Sequence, residues 1–279
     1  MCIRVLPPAL IDLAMSLVRH HGYFGRYATW EEARQASVGY DSPHILEKVK
    51  LALLRVKNGE SAYERDSVLF DRVEHAWPVL ATLLWIAARN ENRLNLLDFG
   101  GSLGSSYFQN RDFLQHLSEF RWNVVEQPAF VACGRRYFED GHLKFYDTLD
   151  ACLKQQSPDA ILLSSVLQYL EQPYSLLSEI LGKGVRYIII DRTSFVRSGA
   201  ERITVQKVPA RIYKASYPAW FFEKRKFLAA FAEDYEMIAE VDVAGDRANI
   251  PSEFKGFIFS RRVPAVEREC RPVQEALHA

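Results

Sequence analysis

The spacing of apolar positions changes character near residue 93. Before it the period is helical. The stretch HILEKVKLALLRVKNG sets Ile45, Val49, Ala52 and Leu53 on one face, with Ser42-Pro43 as a start signal and Asn58-Gly59 as a stop. A second helix is predicted over 67–89, carrying Leu69, Val73, Leu80, Leu83, Leu84 and Ala87, with Pro78 kinking or splitting it. Loops rich in aromatics (Tyr23, Phe24, Tyr27, Trp30, Tyr40, Tyr63) flank these helices. After residue 93 short apolar strands, predicted at 94–99, 121–126, 143–146, 159–164 and 185–190, alternate with helices at about 104–117, 128–139, 148–155, 172–182 and 220–232. That alternation means βαβ units and a parallel sheet covered on both faces. Two last strands, 235–243 and 254–260, are too close for a crossover helix, so they are predicted antiparallel.

The implied architecture is an α/β fold: a Rossmann-like sheet of seven strands, last pair antiparallel, with an N-terminal helical cap. The cap spans 1–92, the sheet domain 93–262 with an insertion at 194–219, and a tail 263–279 lacks a pattern.

Charge narrows the partners. Lys plus Arg and Asp plus Glu number 35 each, so no basic excess argues for nucleic acid. The four cysteines, at 2, 133, 152 and 270, have no C-x-x-C spacing, and the seven histidines have no metal-binding spacing. No metal is expected, and such cysteines suit a reducing, cytoplasmic setting. Pro7, Pro8 and Asp12 break the N-terminal apolar run, so neither signal peptide nor membrane span is read there. An amphipathic helix over 8–19 is expected to dock on the core or to touch a membrane surface weakly. Oligomeric state is not legible.

The chemistry concentrates in LLDFGGSLGSS, residues 96–106. Gly-Gly-Ser-Leu-Gly satisfies G-x-S-x-G with Ser102 as a hydrolase nucleophile, but the histidines that follow are His116, His142 and His278, the last in the tail, and no oxyanion loop precedes it. The stronger reading is a ligand-binding turn. Glycines let the chain turn sharply from strand to helix, and the helix beginning near Gly104 points free N–H groups at the ligand. Glu126 ends the next strand and reaches the same crevice, where a carboxylate accepts from both hydroxyls of a ribose. The turn lacks the dinucleotide fingerprint G-x-G-x-x-G, which speaks against NAD and an oxidoreductase. Asp98 suits the cationic end of S-adenosylmethionine, unless it is only a turn acid.

Residues 94–260 resemble the class I S-adenosylmethionine-dependent methyltransferases. Asp98-Phe99-Gly100-Gly101-Ser102-Leu103-Gly104 resembles their first motif, with Ser102 where glycine is common, and DAILLSSVLQY resembles the fourth-strand motif, with Gln168 where many members carry histidine. Over about 22–260, the stretches WEEARQASVGYDSPHILEKV, AYERD, WNVVEQP, IIIDRTSF, TVQKVP and YPAWFF resemble a little-characterised bacterial family of putative methyltransferases often encoded among surface-polysaccharide genes. The resemblance implies S-adenosylmethionine as cofactor, held by Asp98, Gly100, Gly101, Ser102, Gly104, Glu126, Gln127, Tyr146, Asp147, Ser164 and Ser165. Phe145, Tyr146 and Asp147 stand where adenine contacts are expected; Asp147 alternatively caps the next helix.

The implied reaction is methyl transfer to a small-molecule hydroxyl, a sugar or nucleotide sugar above all; a cofactor-binding protein without activity is the other outcome. Gln168 and Tyr169 are expected to face the acceptor, although Gln168 can equally bind the methionine moiety or serve structure. Arg192 can clamp a phosphate, or brace loops with Asp191. Tyr213, Tyr217 and Trp220 offer aromatic platforms for a sugar, or are core. Asp191 and His142 are the candidate bases. Tyr23, Tyr40, Glu64, Arg65 and Asp66 are candidates in the lid.

Overall fold

The computed structural model of the chain describes residues 21–39, 43–209, 212, 215–243 and 245–262. The segment 8–19, the tail 263–279, Tyr40 and Tyr213 lie outside the described residues.

A seven-stranded sheet carries the molecule. Its strands are β4 (Arg93–Phe99), β5 (Glu119–Val125), β6 (Leu143–Tyr146), β7 (Ala160–Ser164), β8 (Tyr187–Val196), β11 (Tyr235–Asp242) and β12 (Ser252–Arg261), in the order β11-β12-β8-β7-β4-β5-β6. The five from β6 to β8 are mutually parallel, and β12 is antiparallel to both β8 and β11. The pleat sends alternate residues to opposite faces. Leu96, Trp122, Val124, Leu162 and Ile189 meet α2 (Pro43–Lys57), α3 (Trp77–Ala88), α4 (Ser105–Leu114) and α5 (Pro128–Tyr137) on one side. Leu97, Val125, Ile161, Leu163, Ile188 and Ile190 meet α6 (Leu149–Leu153), α7 (Pro173–Gly182) and α8 (Lys224–Ala229) on the other.

β4 lies between β5 and β7, so the chain leaves it in one direction and returns on the other side. The loops after β4 and β7 therefore diverge and open a crevice at the strands' carboxyl ends, where α/β sheets bind ligands.

Three elements differ from the periodicity. Residues 67–89 are not one helix: Tyr63–Arg65 and Val68–Phe70 (β2 and β3) form a hairpin, turning through Asp66 and Ser67 at φ 52° and 66°. Two consecutive positive φ values are what a tight two-residue hairpin turn requires. Pro78 does not kink a helix; it sits in the first turn of α3, where its missing N–H leaves no partner unmade. Residues 216–221 are strand β10 (Ser216–Phe221), which confines the helix expected over 220–232 to Lys224–Ala229.

The N-terminal region is not helical throughout. β1 (Gly22–Tyr27) pairs antiparallel with β9 (Arg202–Lys207) of the insertion, and β9 pairs with β10, giving a separate three-stranded sheet. Helix α1 (Trp30–Gln35) packs beneath it, burying Ala33 against Ile203 and Val205.

Candidate functional site

Local backbone geometry builds the turn after β4. Gly100, Ser102 and Gly104 take φ of 72°, 55° and 95°, so a non-glycine residue holds the middle left-handed position. Leu103 is the turn's buried anchor. A Cβ on Gly100 would come 2.5 Å from Val166 Cγ2, so this glycine is what lets the loops after β4 and β7 approach each other. Gly104 precedes α4 without any side-chain cap.

Asp98 lies one layer below the turn. It is 1% exposed and accepts from Trp122 Nε1 at 3.0 Å. Burial pushes its carboxyl up to about 7; the Trp122 bond opposes the shift and the nearby Glu126 charge adds to it. A Cβ on Gly101 would meet Asp98 Oδ2 at 2.5 Å, so the carboxylate props the turn from beneath. Glu126, the first residue past β5, accepts from its neighbour's N–H, Gln127, at 2.6 Å and from the Ser102 N–H. Its pKa is raised by burial, against those two bonds. Gln127 itself is exposed at the start of α5.

At the end of β6 the pleat decides between neighbours. Tyr146 turns into the core with Leu97, Val125 and Cys152, and its phenol oxygen accepts from Gln156 Nε2 at 2.9 Å, so it does not face the crevice as the sequence suggested. Asp147 points outward to an ion pair with Arg135 at 3.1 Å, and Thr148, not Asp147, caps α6 through Ala151 N–H.

The acceptor-side candidates meet at the tips of β7 and β8. Ser164 Oγ donates to Asp191 Oδ2 at 2.6 Å, and Ser165 N–H, at φ 55°, donates to Asp191 O at 2.9 Å. Opposite β12 the register slips, so that Ile190 and Thr193 face Phe257 and Lys255. Asp191 and Arg192 form a bulge there, with Arg192 at φ 52° and Gly256 opposite, its Cβ position 3.1 Å from Ile190 O. Such bulges re-aim side chains at strand ends. Burial raises the Asp191 pKa, with the Ser164 bond and Arg192 opposing. Gln168, in the short 3-10 turn Leu167–Tyr169, donates through Nε2 to Ser165 Oγ at 3.2 Å and Arg192 O at 3.0 Å.

Arg192 is engaged by its own chain. Nε meets Asp246 Oδ2 at 2.7 Å and Nη2 meets Oδ1 at 3.3 Å, a two-pronged ion pair with the loop between β11 and β12. This bracing differs from the open phosphate clamp, and the partner is Asp246 rather than Asp191. Above it the hydroxyls of Tyr23 and Tyr169 are hydrogen-bonded, both phenols pushed up by burial. Tyr217 meets the Tyr169 ring edge-on at 5.2 Å. Trp220 is no open platform: it stacks between Trp30 and Phe222, at 6.2 Å and 6.1 Å, and Nε1 donates to Leu170 O.

His142 is excluded from the crevice. It precedes β6, at the amino end of the parallel strands, stacked on Phe120 with Nδ1 2.9 Å from Phe120 O. The glycine turn lies at the opposite, carboxyl end, with the four residues of β6 between, roughly 13 Å at about 3.3 Å per residue.

The hairpin supplies a further acid. Glu64 is 1% exposed, accepts from Ser105 Oγ at the start of α4 and from Ser67 N–H at 3.0 Å, and is pushed up to about 7 by burial. Trp122, Asp246 and Asn249 were not singled out from sequence. Trp122 reads there as one more core residue, and only the loop's polar run DRAN marks the other two.

Strand order, the antiparallel last pair and the glycine turn after the central strand define a seven-stranded, Rossmann-like α/β sheet. No protein-family model matches the chain, and no curated protein matches it. Among solved structures it is similar to the N-terminal domain of EvdMO1 crystallised with SAH and D-fucose, at 16% identity over 80% of this chain and 100% of that one, TM-score 0.46. It is also similar to SAM-bound CalS10, an amino pentose methyltransferase from Micromonospora echinaspora, at 16% identity over 67% and 92% of the two chains, TM-score 0.43. A third is the N-methyltransferase NodS from Bradyrhizobium japonicum WM9 with SAH, at 16% identity over 67% and 87%, TM-score 0.40.

Proposed function

We propose that the chain is an S-adenosylmethionine-dependent methyltransferase acting on a small polar molecule, with a sugar as the leading acceptor class. The observation that carries this is the meeting of Glu126 with the Ser102 N–H above the switch point. A half-buried carboxylate there, served among the described residues by backbone N–H groups, fits a ribose diol that donates two hydrogen bonds. The left-handed turn and the uncapped α4 N-terminus fit the close approach of an amino-acid carboxylate.

The cofactor supplies a methyl group already activated by a positive sulfur. The protein's share is alignment, which can lower a barrier by up to about 7–11 kcal/mol. Glu126 and the turn from Gly100 to Gly104 hold the adenosyl end, and Asp98 acts through the turn it supports. Ser164 and Ser165 border the transfer point. Asp191, raised in pKa by burial, is poised to take a proton from the acceptor. The sheet β1-β9-β10, with Tyr23 over Tyr169, serves as the roof that excludes water. A place in surface-polysaccharide synthesis is what the family resemblance implies, and a cytoplasmic setting is what the cysteine spacing suits.

Isothermal titration with S-adenosylhomocysteine tests the reading. Wild type is expected to bind in the micromolar range and Glu126→Ala at least tenfold more weakly. Saturating ligand without a heat signal in the wild type would overturn it.

A further inference from the structure

Carboxylates outnumber guanidinium groups at the acceptor end of the crevice. Arg192 is ion-paired to Asp246, and the charges of Asp191 and Asp66 bear on it as well, so three carboxylates share one guanidinium. The nearby Arg65 sits 5.9 Å over the Phe70 ring, and its charge bears on Tyr63 along with that of Arg192. At the cofactor end Glu126 adds a further acid, while Asp98 and Glu64, pushed up to about 7 by burial, carry only part of a charge. The phenols that also feel the Arg192 charge, Tyr23, Tyr63 and Tyr169, are held neutral by burial.

A second observation, independent of charge, comes from Gln168. The residue is 1% exposed, and Nε2 is committed to Ser165 Oγ and Arg192 O. Its Oε1 is buried and, among the described residues, has no hydrogen-bond partner. Ser165 joins it to Asp191, whose carbonyl accepts the Ser165 N–H. This unpaired acceptor therefore stands between the tips of β7 and β8, beside the proposed proton acceptor. Native interiors rarely leave such an atom unmatched, and here the missing partner is a donor.

A phosphate brings negative charge and only acceptor atoms, so it conflicts with both observations. An amine brings positive charge before reaction and N–H donors, and it matches both.

Resting on the methyltransferase reading above, we propose that the acceptor is a small-molecule amine without phosphate, an amino sugar if the sugar expectation holds, with Gln168 Oε1 accepting from its N–H. The step balances as follows. The bound ammonium gives one proton to the Asp191 carboxylate, which frees the nitrogen lone pair. That pair forms the N–C bond to the methyl carbon while the C–S pair returns to sulfur, leaving a neutral thioether. The methylated nitrogen is then an ammonium, and Asp191 releases its proton to solvent.

The test uses the full chain saturated with S-adenosylhomocysteine and titrated with matched sets of methyl glycosides: 2-, 3- and 4-amino-deoxyhexosides, their hydroxyl isosteres, and the 6-phosphates of both. At least one amine is expected to bind tenfold or more tightly than its isostere, and its phosphate more weakly than either. With deuteromethyl donor, the label is expected on nitrogen. Gln168→Leu is expected to lower the amine-to-hydroxyl affinity ratio at least tenfold, a ratio that a general loss of folding does not move. A panel in which no amine exceeds its isostere, a phosphate that binds best, or label on oxygen overturns the proposal. Failure of S-adenosylhomocysteine itself to bind would instead overturn the methyltransferase reading.

Discussion

Asn249 clasps the backbone of Tyr23: its Oδ1 accepts the Tyr23 N–H at 2.6 Å and its Nδ2 donates to the Tyr23 carbonyl at 2.9 Å. One side-chain amide thus imitates a strand neighbour for β1 and ties the N-terminal region to the loop that carries Asp246. Gly22 makes room for it, with φ 127° and a Cβ position 2.6 Å from Asn249 Oδ1. Asn249→Ala removes two hydrogen bonds, worth together about 1–3 kcal/mol. Limited proteolysis of the 245–251 loop is expected to speed up at least fivefold, and Gly22→Ala is expected to reproduce the effect. Unchanged cleavage in both variants would show that the clasp does not hold the roof.

Gly101→Ala places a Cβ 2.5 Å from the Asp98 carboxylate, which is buried and cannot move aside freely. Overpacking of this kind costs about 1–3 kcal/mol. A melting temperature lowered by several degrees is expected, with loss of the stabilisation conferred by S-adenosylhomocysteine. Gly141→Ala is the control, since nothing lies within 4 Å of its Cβ position.

Asp98 and Glu64 set a pH dependence. Both are held near 7 in the folded protein by burial, against ordinary values of 3.8 and 4.5. The folded state therefore keeps protons that the unfolded state has released, and stability from this source is full below about pH 4 and lost as the pH rises through 7. Melting curves across pH 4–8 are expected to show this decline, superimposed on the other carboxylates, and Asp98→Asn is expected to flatten it. A slope equal to wild type in Asp98→Asn would contradict the burial argument.

His142→Ala is expected to leave methyl transfer and S-adenosylhomocysteine affinity within about twofold of wild type, because the ring stacks on Phe120 at the far end of the sheet. Loss of its contact with Phe120 O costs about 1 kcal/mol of stability at most. A tenfold fall in turnover would return His142 to the site.

The strand and helix alternation, the antiparallel last pair and the glycine turn were legible because their causes are local. A pleat has period two, a helix 3.6, and a left-handed turn needs glycine within a few residues. Glu126 was legible for the same reason, being the polar residue that ends an apolar strand. Helix α3 was over-extended because Leu69 of the hairpin and Val73 after it fall by chance on a helical period, while the turn at Asp66-Ser67 contains no glycine.

What the sequence determined by itself is therefore the sheet and the glycine turn at the tip of its central strand. Tertiary structure alone decided which candidates reach that tip. Tyr146 and Asp147 differ by one residue, and pairing with β5 settles which of them faces inward. Arg192 and Asp246 are 54 positions apart, and Tyr23 and Asn249 are 226 apart, so no local period can report either pair. β1 pairs with a strand of the insertion only because both lie over the same end of the sheet. Backbone hydrogen bonds and buried charges must find partners somewhere, and where they find them is a property of the folded chain rather than of any segment.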